Sequence, residues 1–149
     1  TSMLQEKNIP YHQRTQKNQA PTGTLVYLAD TTGELSKLIE CADLAFGGKT
    51  LTPNRGGQNP IEPIALGIPL VLGPNFQNFQ QTCGDLLIHE AIQTTESKES
   101  AQKELLSLAQ NSQGRKELRQ NALSWFESQG SPSDRTLEKL FQLLQSNPT

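Results

Sequence analysis

The stretch Gly56-Gly-Gln-Asn-Pro-Ile-Glu-Pro63 joins a glycine pair to the start of a predicted helix. Asn59 is a good N-cap, Pro60 suits the first helical position, and Gly67 ends the helix soon afterwards. The first turn of a helix offers free backbone N–H groups and a partial positive charge, which suit a phosphate. Glycines in front of the helix let a ligand approach the backbone, and the Glu62 carboxylate can accept hydrogen bonds from sugar hydroxyls. The stretch therefore indicates a seat for a nucleotide or a phosphorylated sugar, with a simple capping pair as the alternative.

Short apolar segments on both sides of this stretch predict strands that alternate with helices. The predicted strands are residues 25–29, 42–46 and 70–72, and helices are predicted to begin near residues 31, 59, 78, 97, 112 and 133. This alternation predicts an α/β fold with a parallel sheet flanked by helices and a helical C-terminus. Ligands bind such sheets beyond the C-terminal strand ends, so the loops 30–34 and 47–62 are expected at one edge of the sheet. Residues 5–23 are predicted to be a polar loop, and we take Thr1–Met3 for a cloning remnant.

A second capped helix start is predicted at Thr31–Glu34, with Thr31 as the N-cap and Glu34 as the third helical residue. We interpret the preceding Asp30 as structural. The run Gly47-Gly-Lys-Thr50 lacks the earlier glycine of a phosphate-binding P-loop, so we reject that motif. Farther along the chain, Trp125 and its neighbour Phe126 lie at apolar helical positions and are predicted to be core residues.

Composition narrows the possible function classes. The chain has 149 residues, enough for one domain, and a formal net charge of −2 without a stripe of basic residues, which argues against nucleic-acid binding. The two cysteines, Cys41 and Cys83, form no disulfide framework or zinc pattern and fit a reducing compartment. The histidines, His12 and His89, have no partner at metal-ligand spacing, so no metal site is predicted. No apolar run is long enough for a membrane span.

Four motifs occur in one order: Asp30-Thr-Thr-Gly-Glu-Leu35, Ala42-Asp-Leu-Ala-Phe-Gly-Gly48, the stretch quoted first, and Gly73-Pro-Asn-Phe-Gln-Asn-Phe79. This series resembles the C-terminal half of the 3-deoxy-D-manno-octulosonic acid (Kdo) transferases, which are GT-B glycosyltransferases. The resemblance runs from about Leu4 to Leu144 and implies a Rossmann-like domain that binds the donor CMP-Kdo.

The resemblance also implies roles for individual residues. The implied nucleotide-binding residues are Thr32, Gly33, Glu34, Gly57, Asn59, Pro60, Ile61 and Glu62, and Gln58 and Asn78 are candidates for contacts with the donor sugar or its loop. The implied reaction is inverting transfer of Kdo to a lipid A precursor in lipopolysaccharide biosynthesis, without a cofactor or a required metal. The implied location of the full-length enzyme is the cytoplasmic face of the bacterial inner membrane.

Departures from the family pattern keep two alternatives open. Gln58 stands where the family usually has His, Thr32 where it often has Met, and the loop after Phe46 is one residue shorter. These differences leave room for a GT-B enzyme with another nucleotide sugar, or for a non-catalytic binding domain of the same fold. The N-terminal half, which holds the acceptor site and the catalytic carboxylate in the family, has no counterpart in this sequence. We therefore expect a single nucleotide-sugar-binding domain, residues 1–149, from a longer two-domain protein; alone it should be inactive, and a homo-oligomer is possible.

Overall fold

The computed structural model describes residues 1–16 and 18–130, which form two compact units, Thr1–Leu35 and a second unit that starts at Ser36. The α-helices are α1 Ser2–Glu6, α2 Leu35–Glu40, α3 Ile61–Ala65, α4 Gln80–Ile88, α5 Lys98–Gln110 and α6 Ser112–Ser128. The strands are β1 Tyr11–Gln13, β2 Val26–Leu28, β3 Ala45–Gly47, β4 Leu70–Leu72 and β5 Gln93–Thr94. Single turns of 3₁₀-helix cover Arg14–Gln16, Gly48–Thr50 and Gln77–Phe79.

All described strands pair in parallel, which confirms the predicted α/β class. In the first unit β1 pairs with β2. In the second unit the order is β3-β4-β5, with Phe46 opposite Val71 and Leu72 opposite Thr94. The described strands thus form two sheets, where the alternation of elements predicts one. That the loops 30–34 and 47–62 lie at one edge of a sheet stays a prediction.

The core of the second unit is built around β4, whose three residues are all buried. Leu70 and Leu72 pack in one cluster with residues that include Ile64, Leu86 and Trp125 from the helices α3, α4 and α6. Val71 packs in another cluster with residues from α5 and α6. Alternate side chains of a strand point to opposite faces, so β4 is covered on both sides, as a central parallel strand requires.

Two strands escaped prediction because their sequences are polar. The strand β1 lies in the segment that was predicted to be a loop, and two of its three residues, His12 and Gln13, are polar. His12 is nevertheless buried. The two-residue strand β5 consists of Gln93 and Thr94. Whether such a short segment forms a strand depends on hydrogen bonds to a neighbouring strand. The pattern of hydrophobic residues does not reveal these bonds.

The C-terminal helices of the described chain match their predicted starts. Ser97 caps α5 and exchanges hydrogen bonds with Ser100, and Asn111 caps α6 through Gly114. The helix start predicted near Ser133 lies outside the described residues. Trp125 is 5% exposed, as predicted for a core residue, and its indole Nε1 donates a hydrogen bond to the Asp85 carboxylate over 2.6 Å.

The core prediction is wrong for Phe126, which is 39% exposed. Successive helical residues lie about 100° apart, so the face of α6 that buries Trp125 leaves Phe126 at its margin.

Candidate functional site

The loop before α3 is bent by two glycines with positive φ angles, +91° at Gly56 and +81° at Gly57. A Cβ at Gly57 would stand 2.8 Å from the Phe76 Cα and 2.9 Å from the Asn75 carbonyl oxygen. A Cβ at Gly56 would stand 2.7 Å from Nδ2 of Asn78. Contrary to the expectation that the glycines leave room for a ligand, this space is filled by the chain itself. Here glycine is required for packing between two loops.

Hydrogen bonds tie the same two loops together. The Asn75 side-chain amide donates to the Asn54 carbonyl oxygen over 2.9 Å. The Gly56 N–H donates to Oε1 of Gln77 over 3.0 Å, and the Gly56 carbonyl oxygen accepts from the Asn78 N–H over 3.1 Å. We call this arrangement the loop clamp: residues 54–57, which follow β3, held against residues 75–78, which follow β4. It fixes the base of the segment that carries residues 58–62.

The helix α3 starts one residue later than predicted: its first residue is Ile61 and Pro60 is its N-cap, although Asn59 still bonds to the helix start. The Asn59 Oδ1 accepts a hydrogen bond from the Ile61 N–H over 3.1 Å, and Pro60 has helical angles of φ −82° and ψ −14°. The other half of a capping box is missing: the exposed side chain of Glu62 makes no hydrogen bond or ion pair with any residue in the described ranges. The Glu62 carboxylate is therefore not consumed by helix capping.

The other predicted residues of this segment differ in what they can offer a ligand. Gln58 and Asn59 are exposed. Pro60 is fully buried, has no N–H group, and its carbonyl oxygen accepts a hydrogen bond from the Ile64 N–H. Ile61 packs against the core, and its N–H group is bonded to Asn59. Asn78 serves the loop clamp through its N–H group.

Thr50 is a structural residue of the site that sequence reasoning missed. Its side chain is fully buried; its hydroxyl donates to the Gly47 carbonyl oxygen and accepts from the Gly73 N–H. The Thr50 carbonyl oxygen also accepts from the Asn75 N–H over 2.9 Å. One side chain thus joins the ends of β3 and β4 beneath the loop clamp. A threonine three residues after a strand-ending glycine is a weak signal for such a local hydroxyl bond.

In the first unit, Asp30 fastens the turn after β1 to the end of β2. Its carboxylate accepts hydrogen bonds from the Thr15 N–H over 3.1 Å, from the Thr15 hydroxyl over 2.7 Å and from the Gln13 side chain over 3.3 Å. The bond from the Thr15 hydroxyl is the main reason that the pKa of Asp30 lies below its usual value. The structural interpretation of Asp30 agrees with these contacts.

The predicted capping box at Thr31–Glu34 is wrong. The helix α2 begins only at Leu35, because Gly33 has a φ of +82° that a right-handed helix does not accept. The Thr31 hydroxyl instead donates to the Glu34 carboxylate over 2.6 Å.

Glu34 also forms an ion pair that the sequence did not reveal. Arg14 donates to both carboxylate oxygens, from Nε over 3.1 Å and from Nη2 over 2.9 Å. The Glu34 carboxylate raises the pKa of Arg14, so the guanidinium stays charged at all physiological pH values. The pairing of residues 20 positions apart gives no local pattern by which it could be predicted.

Gly33 differs from the glycines of the loop clamp: apart from its chain neighbours, no heavy atom of the described residues lies within 4 Å of the place where its Cβ would stand. The neighbouring Thr32 is exposed. This turn therefore leaves the backbone of residues 32–33 open to close approach. The predicted nucleotide-binding residues fall into two clusters: Thr32, Gly33 and Glu34 in the first unit, and residues 57–62 with Asn78 in the second.

A separate groove of about 840 Å³ runs between α4 and the end of α6. Ile61, Ile88 and Trp125 contribute apolar surface to it, and its lining includes no Lys or Arg. Among the residues that the structure describes, its lining shares Ile61 with the predicted nucleotide-binding residues. Within residues 1–16 and 18–130, no group of three or more His, Cys, Asp or Glu side chains could hold a metal ion. No helix in those ranges is both long and apolar enough to span a membrane.

No protein-family model matches the sequence. Several known proteins that share one enzyme name do match it. The chain is similar to the 3-deoxy-D-manno-octulosonic acid transferase of Bordetella pertussis, with 29% identity over 140 residues that cover 93% of this chain and 32% of that protein. The enzyme of the same name from Chlamydia muridarum is 29% identical over 113 residues, which cover 76% of this chain and 26% of that protein. The chain thus spans about a third or less of the length of these curated relatives.

A crystal structure of the C-terminal CMP-Kdo binding domain of WaaA from Acinetobacter baumannii has a similar fold. The TM-score is 0.76 at 27% identity, and the match covers 81% of this chain and 63% of that domain. The structural and sequence matches thus concern the same kind of protein.

Proposed function

We propose that this chain, which is homologous to the C-terminal domain of the Kdo transferases, holds the CMP-Kdo donor of a glycosyltransferase. One observation carries this proposal most: the structural match, with a TM-score of 0.76, to a domain that binds CMP-Kdo. The order of the four sequence motifs also supports it, because three of them, 30–35, 56–63 and 73–79, contain the residues of the two clusters.

In this proposal the two clusters supply the nucleotide contacts. Within the first unit, Glu34 would accept hydrogen bonds from ribose hydroxyl groups, and the backbone of Gly33 would face the phosphate. Within the second unit, Glu62 and the backbone of Gly57 are the corresponding candidates. Asn59, Pro60 and Ile61 would line the nucleotide at the start of α3, and Thr32 would be a contact in the first cluster. The exposed Gln58 is our candidate for contact with the donor sugar, and Asn78 supports the loop that presents it.

The complete reaction requires more than this chain. We propose that the longer protein transfers Kdo to a lipid A precursor at the cytoplasmic face of the bacterial inner membrane, with the acceptor held by an N-terminal domain. The chain alone should bind the donor nucleotide without catalysing transfer.

Isothermal titration of the chain with CMP tests the proposal, with UMP and AMP as matched nucleotides. We expect saturable binding of CMP and clearly weaker binding of the other two. No CMP binding, or equal binding of all three nucleotides, would contradict a CMP-specific donor site.

Gln58 favours a second candidate, a GT-B enzyme that uses a different nucleotide sugar. The family usually has an imidazole at this position, and an exposed amide offers a different set of donors and acceptors to a sugar. Binding measurements on a panel of nucleotide sugars, with the Gln58→His variant alongside, would separate the candidates. Preference for a donor other than CMP-Kdo in the unmodified chain would support the second.

A further inference from the structure

Charge balance at the proposed donor site is incomplete. None of the predicted nucleotide-binding residues is basic, and two of them, Glu34 and Glu62, are carboxylates. A CMP-linked sugar acid carries a negative phosphodiester and a negative carboxylate. In the first cluster, the Glu34 carboxylate repels a ligand anion beside it unless a cation lies close. Neither Thr32 nor Gly33, the other predicted residues of that cluster, supplies a positive charge.

Arg14 is placed to supply this charge. It approaches Glu34 with one edge of its guanidinium, through Nε and Nη2, in a two-point pairing of 3.1 and 2.9 Å. A guanidinium has five N–H donors, so three remain beyond the two that Glu34 accepts, and both Nη1 donors are among them. The side chain is 46% exposed, and the phenol of Tyr27 is the other described group that acts on it.

The surroundings of Arg14 hold it in place before any ligand arrives. Its chain neighbour Thr15 is fixed to Asp30 through both its N–H and its hydroxyl. Glu34, at the other end of the pair, also accepts from the Thr31 hydroxyl. Beside Glu34, Gly33 offers backbone with open space where a side chain would stand. A cation fixed in this way loses little conformational entropy when it binds an anion.

We infer that Arg14 contacts the phosphate of the donor through the guanidinium edge turned away from Glu34. This inference rests on the proposed function and adds to it a residue outside the motifs. Glu34 then serves both the ribose and the arginine, and Arg14 cancels the repulsion between the Glu34 carboxylate and the phosphate. Two-point contact with carboxylates and phosphates is characteristic of arginine.

The test compares CMP with cytidine, which lacks the phosphate, in the 149-residue chain. Calorimetry for CMP and NMR titration for cytidine give two dissociation constants, whose ratio measures the contribution of the phosphate. In Arg14→Gln this ratio should fall about tenfold or more, the range expected for loss of a hydrogen bond between charged groups. Arg14→Lys keeps the positive charge and loses the planar guanidinium, so its ratio should lie between the ratios of the unmodified chain and of Arg14→Gln.

Two further variants separate a phosphate contact from a general effect. Glu62→Gln changes a proposed ribose contact and leaves the pair of Arg14 with Glu34 intact, so it should weaken CMP and cytidine alike and leave the ratio unchanged. Arg119→Gln on the exposed surface of α6 should change the affinity for neither ligand. An Arg14→Gln variant that keeps the ratio, even with weaker binding of both ligands, would overturn the assignment and leave the proposed function intact. Failure of the unmodified chain to bind CMP would overturn both.

Discussion

Thr50 shows how much of the site depends on a side chain that no ligand needs to touch. It is fully buried, and its hydroxyl joins the Gly47 carbonyl oxygen to the Gly73 N–H. Gly73 must be glycine for a related reason, because a Cβ there would collide with the Thr50 carbonyl oxygen. The strand ends beneath the loop clamp are thus held by polar contacts in an otherwise apolar core, where each unpaired group is costly.

Thr50→Val keeps the size of this side chain and removes its hydroxyl. We expect the free energy of unfolding to fall by about 1–3 kcal/mol, because the Gly73 N–H is left buried without a partner. Urea unfolding measures the change. The same substitution at Thr94, an exposed position in β5, is the control and should have little effect. Equal stability of the two variants would mean that the Thr50 hydroxyl is unimportant.

Glu62, unlike the buried Thr50, is exposed, and the Glu62→Ala variant tests its proposed contact with the ligand. We expect CMP affinity to fall by about 1–3 kcal/mol, because the ribose loses a charged hydrogen-bond acceptor. Glu99→Ala is a matched control, since Glu99 is the exposed acidic residue in the first turn of α5. Reduced helix stability with unchanged CMP affinity in Glu62→Ala would assign Glu62 to helix stabilisation alone.

At the scale of elements, the loop clamp positions the segment before α3. The close contact of Gly57 with the backbone of Asn75 and Phe76 is sterically demanding, and three hydrogen bonds reinforce it. Two loops that follow adjacent parallel strands therefore behave as one surface. Because β3 and β4 are neighbours in the sheet, the loops that follow them are held close enough to position the residues proposed to contact the ligand.

Gly57→Ala should disrupt this surface. The new Cβ would lie within 3 Å of backbone atoms, in addition to the strain of a positive φ, and the second unit should lose about 2–4 kcal/mol of stability. Gly23→Ala carries a positive φ, +89°, and no atom of the described residues lies within 4 Å of its Cβ position, so it isolates the strain from the collision. Similar losses in both variants, measured by denaturant unfolding, would show that the close approach adds nothing.

Prediction from sequence succeeded where a local pattern was sufficient. The strand Leu70–Leu72 has continuous apolar residues between turn signals, and Ser97 and Asn59 lie at helix starts with side chains suited to capping. It failed where the deciding contact joins distant residues. The pair of Arg14 with Glu34 and the short strand β1 both depend on segments that meet only in the folded chain.

Neighbouring residues can also mislead. Thr31 and Glu34 have the spacing of a capping box, but their side chains bond to each other because Gly33 prevents the helix from starting there. The glycine pair before α3 was a correct signal of a special backbone. Its cause, packing against Asn75 and Phe76, could not be predicted without the second loop.

At the scale of the whole molecule, the chain consists of two compact units, and each contains one cluster of proposed donor contacts. The first unit is small, and its described polar contacts converge on Asp30 and Glu34. Such a unit has little apolar burial to stabilise it and depends on hydrogen bonds to charged groups. Its stability should respond to pH in a way that the apolar core of the second unit does not.

Acid should loosen the first unit through Asp30. The folded-state pKa of Asp30 is lower than its usual value, so its contribution to stability is full above the pKa of the unfolded chain, about 4, and is lost as the pH falls through the folded value. Hydrogen exchange of the Thr15 amide, followed from pH 6 downwards, should show loss of protection in acid beyond the intrinsic pH dependence. Asp30→Asn should remove this additional acid sensitivity, and an identical profile in both proteins would contradict the assignment.

The loop clamp has a consequence for how donor choice can change over time. The loop clamp holds the base of the segment that carries the exposed side chains of Gln58, Asn59 and Glu62. The contacts of the clamp do not involve the side chains of Gln58 or Glu62. Substitutions at those two positions can therefore alter recognition at little cost in folding. Gln58 is one such substitution relative to the family pattern, and a library randomised at positions 58 and 62 would sample donor preference without first having to be screened for stability.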